Sequence, residues 1–175
     1  TIMAYSPALC PAPSDWDTAK VHVVGSLVEG CRPSTAAYAP PVELLAPLGL
    51  GRADGGNGSS SRPVVFCFGS YLALVPAGEQ KRLLSACVRA ACELSVGAIV
   101  CTKGAASDPG GGRGVALLDP SAQALLLADP TVALFDGEAP HDWLFARCGA
   151  VVCHGGAGTV HAALTAGCPV VVSPV

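Results

Sequence analysis

The apolar residues of this chain come in short runs, at 64–68, 98–101, 132–135, 150–153 and 170–172, set off mainly by glycine, proline or a polar residue. A run of three to five apolar residues without polar alternation is the pattern of a strand covered on both faces, as in a parallel sheet. None approaches the roughly 20 residues a membrane helix needs, although mean hydropathy is +0.50. Between the runs lie helical patterns. The segment 77–94 places apolar residues at 83, 84, 87, 88, 91 and 94 on one face. Shorter helices are expected at 121–127 and 159–166, and a short helix or turn at 140–147. Strand–helix alternation in series predicts an α/β chain with a Rossmann-like parallel sheet, whose ligands sit at the carboxyl ends of the strands.

The amino-terminal part reads differently. Residues 1–62 are expected to form an interdomain linker with one strand near 21–25 and a brief helix within 42–48. Within it, Gly55-Gly56-Asn57-Gly58-Ser59-Ser60-Ser61 is a flexible insert with nothing to pack. Residues 63–175 carry the sheet, interrupted by a second glycine-rich loop at 107–114. No basic leader followed by an apolar run and small residues is present, so no secretory signal is expected.

Charge narrows the partners. Ten basic and 13 acidic residues leave a net charge of -3 and no basic stripe, which argues against nucleic acid. Nine cysteines occur without a C-x-x-C pair, several inside the apolar runs, and read as small buried hydrophobes. Cys148, Cys153 and His154 are not spaced like a zinc site, and no metal is expected.

The most informative motif is His154-Gly155-Gly156-Ala157-Gly158-Thr159, between the run at 150–153 and the helix after it. A strand that breaks into glycines and then a helix leaves free backbone N–H groups at the helix start, where a phosphate or diphosphate is readily held. His154, at the strand's end, adds a donor aimed at the same place. A dinucleotide fingerprint starting at Gly156 would need Gly or Ala at 161, where His161 stands. A Walker A loop has no match. A nucleophile elbow at Ser70 would need glycines at 68 and 72, occupied by Phe68 and Leu72. His161 is read as structural and His22 as surface or linker. Gly69-Ser70, Lys103-Gly104, the segment 139–141 and the glycine motif all fall at strand ends on one side.

Pro140-His141-Asp142-Trp143-Leu144-Phe145, the glycine motif, Ala166-Gly167-Cys168-Pro169 and Ser173-Pro174 together resemble the donor-binding signature of family 1 glycosyltransferases. The P-H-D-W-L-F form resembles the sterol 3β-glucosyltransferase branch. Phe68-Gly69-Ser70, Tyr5-Ser6-Pro7 and Val23-Val24-Gly25 add to the likeness. The resemblance implies the carboxy-terminal, nucleotide-sugar-binding domain of a GT-B enzyme that moves a hexose from UDP-glucose to a sterol or similar lipophilic hydroxyl, with inversion. It implies that Ala139 and His141 meet the uracil and ribose end of the donor. His154 would bond the diphosphate, and Ala157, Gly158 and Thr159 would hold its phosphates through N–H groups and a hydroxyl. Ser70 would lie in a turn near the same diphosphate. Trp143 is read as packing beneath this loop, with stacking on the base as the alternative, and Asp142 as a helix-start cap.

In the family an Asp-Gln pair after the Ser-Pro segment meets the sugar, and the acceptor pocket and general base lie in an amino-terminal domain. None of these is in the sequence at hand, so no catalytic residue is assigned and the chain alone is expected to be inactive. The resemblance implies no cofactor beyond the UDP-sugar substrate. It implies a sterol acceptor held by the other domain and a cytoplasmic setting, and leaves room for peripheral membrane contact of the parent enzyme. Two other readings stay open: the donor-binding subunit of a split N-acetylglucosaminyltransferase, and a non-catalytic truncated binding module.

Overall fold

A computed structural model describes residues 1–8, 10–25, 38–50, 62–105 and 114–174. The insert expected at 55–61 lies outside them, as does the loop at 107–114 except for Gly114. The chain divides into two compact units, Thr1–Arg32 and Pro33–Val175. In the smaller one, β1 (Ile2–Met3) pairs in parallel with β2 (His22–Val23), and His22 is exposed.

The larger unit opens with a short helix, α1 (Val42–Leu45), and then alternates strand and helix. Its strands are β3 (Val64–Cys67), β4 (Ala98–Cys101), β5 (Val132–Phe135), β6 (Ala150–Cys153) and β7 (Val170–Val172). They form one five-stranded sheet in the order β5-β4-β3-β6-β7, every pair parallel. Helices α2 (Ala77–Glu93), α3 (Pro120–Ala128), α4 (His141–Phe145) and α5 (Ala157–Thr165) connect them.

The unbroken apolar runs are explained by cover on both faces. On one face Val65, Ile99 and Val151 pack with Leu44 of α1, Leu144 and Phe145 of α4, and Ala163 of α5. On the other, Ala98 and Val100 pack with Leu84, Val88 and Ala91 of α2 and Ala122 of α3. The expected face of α2 is buried at Leu84, Cys87, Val88 and Ala91, but Leu94 is 72% exposed at the helix C-cap. The helix has ended there, so its period no longer turns that side chain inward. Asp119 caps α3, accepting from the Ala122 N–H at 3.0 Å and pairing with Arg89 at 2.6 Å.

A helical turn of the 3-10 type, Gly69–Leu74, follows β3 and was not evident in the sequence. Buried Gln80, on the inward face of α2, closes it by donating to the carbonyls of Leu72 at 2.8 Å and Val75 at 2.7 Å.

Leu44 is fully buried in the sheet's core. Replacing it by alanine is expected to cost about 2–5 kcal/mol of unfolding free energy, the range for a cavity in a close-packed interior. Chemical denaturation of Leu44→Ala checks this; a loss below about 1 kcal/mol would mean that α1 packs only loosely on the sheet.

Candidate functional site

The strand order reverses between β3 and β6. From β3 the chain runs outward through β4 to β5, then returns to β6 on the other side. At such a switch point the connections leave in opposite directions and open a crevice at the carboxyl ends of the two strands. Here those ends are Cys67 and Cys153, partners in the parallel register. The Gly69–Leu74 turn leaves one, and His154-Gly155-Gly156 leads from the other into α5.

Helix α5 starts at Ala157, two residues before the expected start, and Gly156 at its N-cap provides no side-chain cap. The first intrahelical hydrogen bond runs from the Val160 N–H to the Gly156 carbonyl at 3.0 Å. The N–H groups of Ala157, Gly158 and Thr159 precede it and have no partner of that kind. They carry the partial positive charge of the helix dipole. Ala157 and Gly158 are exposed, whereas Thr159 is only 9% exposed.

Packing fixes the His154 ring. Tyr71 stacks on it, with ring centroids 5.5 Å apart and 18° between planes. A Cβ on Gly156 would lie 2.6 Å from its Nε2, and one on Gly69 4.0 Å from its Cε1. Gly155 has φ +92°, a conformation that favours glycine, and a Cβ there would lie 3.1 Å from the Val172 side chain. Nδ1 of His154 is buried without a hydrogen-bond partner, one of two such side-chain atoms among the described residues. An imidazole held by packing keeps hydrogen-bonding capacity unspent, which is uncommon for a buried polar atom unconnected with function.

Beside this, a cavity of about 290 Å³ opens at the ends of β3, β4 and β5, lined by Cys67, Gly69, Cys101, Phe135, Ala139 and His141, among others. Exposed Lys103 and Glu138 pair at its edge, and the lysine holds the glutamate's carboxyl below the usual carboxylate range. Ala139 and His141 therefore share one wall, and Gly69 joins that wall to the His154 ring. Ser70 is exposed in the turn next to Gly69.

Trp143 is occupied within the fold. Its ring meets Tyr38 edge-on at 4.8 Å, and the Arg147 guanidinium lies 4.2 Å from its centroid. These contacts are the packing expected of it. Asp142 sits in the first turn of α4, favourable to that helix's dipole, while Pro140 is the N-cap without a side-chain bond. Among the described residues, no group of three His, Cys, Asp or Glu could hold a metal ion. Sequence reasoning missed Tyr71, Gln80 and Cys101; no pattern in Gly69-Ser70-Tyr71-Leu72-Ala73-Leu74 singled out Tyr71.

No family model matches the chain. It is 34% identical over 171 residues to a sterol 3-beta-glucosyltransferase of Arabidopsis thaliana, covering 97% of this chain and 22% of that protein. A sterol 3-beta-glucosyltransferase of Aspergillus clavatus is 32% identical over 173 residues, covering 97% of this chain and 10% of that protein. The chain thus spans about a fifth to a tenth of the length of these relatives. The structure of a UDP-glucosyltransferase from Polygonum tinctorium capable of glucosylating indoxyl superposes with a TM-score of 0.64, at 17% identity. That superposition covers 99% of this chain and 36% of that one.

Two glycines in the motif should respond differently to a methyl group. In Gly156→Ala the new Cβ collides with the imidazole, so the His154 ring NMR signals should shift as the ring moves from Tyr71. A Cβ on Gly158 meets nothing within 4 Å, so Gly158→Ala should leave those signals in place. Its stability should stay within about 1 kcal/mol of the parent. Unchanged signals in Gly156→Ala would contradict the packing described.

Proposed function

We propose that this chain, a GT-B glycosyltransferase segment with sequence relatives among the sterol 3-beta-glucosyltransferases, is the donor-binding half of an enzyme that transfers glucose from UDP-glucose to a sterol or similar lipophilic hydroxyl. The observation that carries the reading is the uncapped start of α5, with three N–H groups ahead of the first helical bond and the packed His154 imidazole beside them.

In this reading the donor diphosphate lies across the β3–β6 crevice. The N–H groups of Ala157, Gly158 and Thr159 and the His154 imidazole face its oxygens, and Ser70 adds a hydroxyl from the neighbouring turn. Ala139 and His141 line the cavity that takes the nucleoside. Direct displacement at the anomeric carbon would invert its configuration and leave UDP with an added negative charge. Donors already aimed at those oxygens strengthen their hold as the charge develops, an electrostatic contribution to the rate. The acceptor and its general base belong to the rest of the parent enzyme. No helix among the described residues is long and apolar enough to cross a membrane.

Gly158 supports the same reading. Among the described residues nothing requires a hydrogen there, since a Cβ would meet no atom within 4 Å. A glycine that its own fold does not need is accounted for by a ligand lying against the backbone.

Titration of the chain with UDP and UDP-glucose, followed by amide NMR, tests the proposal. Shifts should concentrate at residues 69–71, 139–141 and 154–159, and His154→Ala should weaken binding by about 10-fold or more, the worth of one hydrogen bond to a charged group. Gly158→Ala should weaken it as well, without loss of stability. Shifts centred elsewhere, or an affinity indifferent to both variants, would overturn the assignment. The chain alone should form no sterol glucoside from radiolabelled UDP-glucose.

A further inference from the structure

Two cysteines that have no part in the donor reading meet His141 in the cavity. Cys67 ends β3 and Cys101 ends β4. These strands pair in register as Val64 with Ala98, Val65 with Ile99 and Phe66 with Val100, so Cys67 and Cys101 stand one step further along the same ladder. Neighbouring strands lie about 4.8 Å apart. That falls within the Cα separations of roughly 4.4–6.8 Å that a disulfide bridges. Both residues line the cavity, together with His141. Both are free thiols.

We propose that Cys67 and Cys101 form a dithiol modification site that reacts with low-molecular-weight disulfides, Cys67 as the attacking thiol and Cys101 as the resolving one. The Cys67 thiolate attacks one sulfur of the disulfide RSSR, forming a Cys67–S–S–R bond and releasing RS⁻, which takes up a proton. The Cys101 thiol then loses its proton and attacks the Cys67 sulfur, expelling the second RS⁻. The net change is two thiols oxidised to one intramolecular disulfide and RSSR reduced to two RSH.

The surroundings divide the roles. Hydrogen bonding from Cys101, then from His141 together with its charge, holds the Cys67 thiol below the ordinary thiol range, outweighing burial. Donation to Cys67 and burial push Cys101 upward, with Cys148 adding to the effect. The groups around Cys67 are therefore Cys101 from β4, Cys153 from β6, its partner in register, His141 from α4 and the Gly69 N–H, with the Lys103–Glu138 pair at the cavity's edge. Burial raises two further interior thiols, Cys87 and Cys148, to about 12. A thiolate at Cys67 is the more reactive species. Since Ala139 and His141 share the wall, a disulfide or an adduct there narrows the space for any ligand in the cavity.

The chain is incubated with oxidised glutathione at pH 6 and pH 8.5, free thiols are trapped by alkylation, and peptides are mapped by mass spectrometry. Exposed Cys10 is the reference for an accessible thiol. The expected result is a Cys67–Cys101 cross-linked peptide, and a Cys67-to-Cys10 reaction ratio that rises at least threefold as the pH is lowered. In Cys101→Ser the glutathione adduct should remain on Cys67, and in His141→Gln the ratio at pH 6 should fall. Absence of the cross-link together with no trapped adduct in Cys101→Ser would overturn the proposal, as would a ratio that is flat or falls at low pH. These readouts contain no nucleotide, so their failure leaves the donor reading untouched.

Discussion

Parallel pairing of β3 with β6, the two strands on either side of the switch point, is the constraint on which the rest of the molecule depends. Four register pairs from Val64 with Ala150 to Cys67 with Cys153 bring their carboxyl ends level. Because both strands are parallel, both chains leave at the same edge of the sheet, one into the Gly69–Leu74 turn and the other into the glycine motif. Residues more than 80 positions apart in sequence, Tyr71 and His154, then stack without further steering. A one-residue slip in this register would turn every side chain of one strand to the opposite face and dismantle both the core and the crevice.

The crevice shows a consistent use of small residues. Gly156 leaves room for the imidazole, Gly155 supplies the left-handed backbone conformation after it, and Gly158 leaves the helix start open. Only the first two are explained by the protein's own packing. The helix also lacks the side-chain cap that Asp119 gives α3. A Ser, Thr, Asn or Asp cap would satisfy one of the free N–H groups and stabilise the helix, by about 1 kcal/mol in ordinary settings. Its absence, with the orphaned Nδ1 of His154 close by, marks a place where polar groups are held by the fold but not consumed by it.

Much of the architecture was legible because it depends on local pattern. Short apolar runs required a covered parallel sheet, and all five of the expected strands in the larger unit are present within a residue or so. The helix pattern of α2 identified most of its buried face. The differences arise where a neighbour decides. Leu94 matches the apolar period but falls at the helix end, so it is exposed. Leu44 sits in a stretch rich in proline and apolar residues whose burial against the sheet no local rule reveals. Trp143 is held by Tyr38 and Arg147, and the first of these lies over 100 residues before it.

The sequence by itself determined the alternation of strand and helix, the glycine break before α5 and the identity of the groups gathered at the strand ends, because periodicity and backbone freedom are properties of consecutive residues. Tertiary structure decided the order β5-β4-β3-β6-β7, and with it which strand ends are neighbours. It alone set Tyr71 against His154, Gln80 beneath the turn, and Cys67 beside Cys101 and His141. Apart from Gln80, which lies within eight residues of the carbonyls it meets, these residues are far apart along the chain or on separate strands, and only long-range hydrogen bonding and packing between elements bring them together.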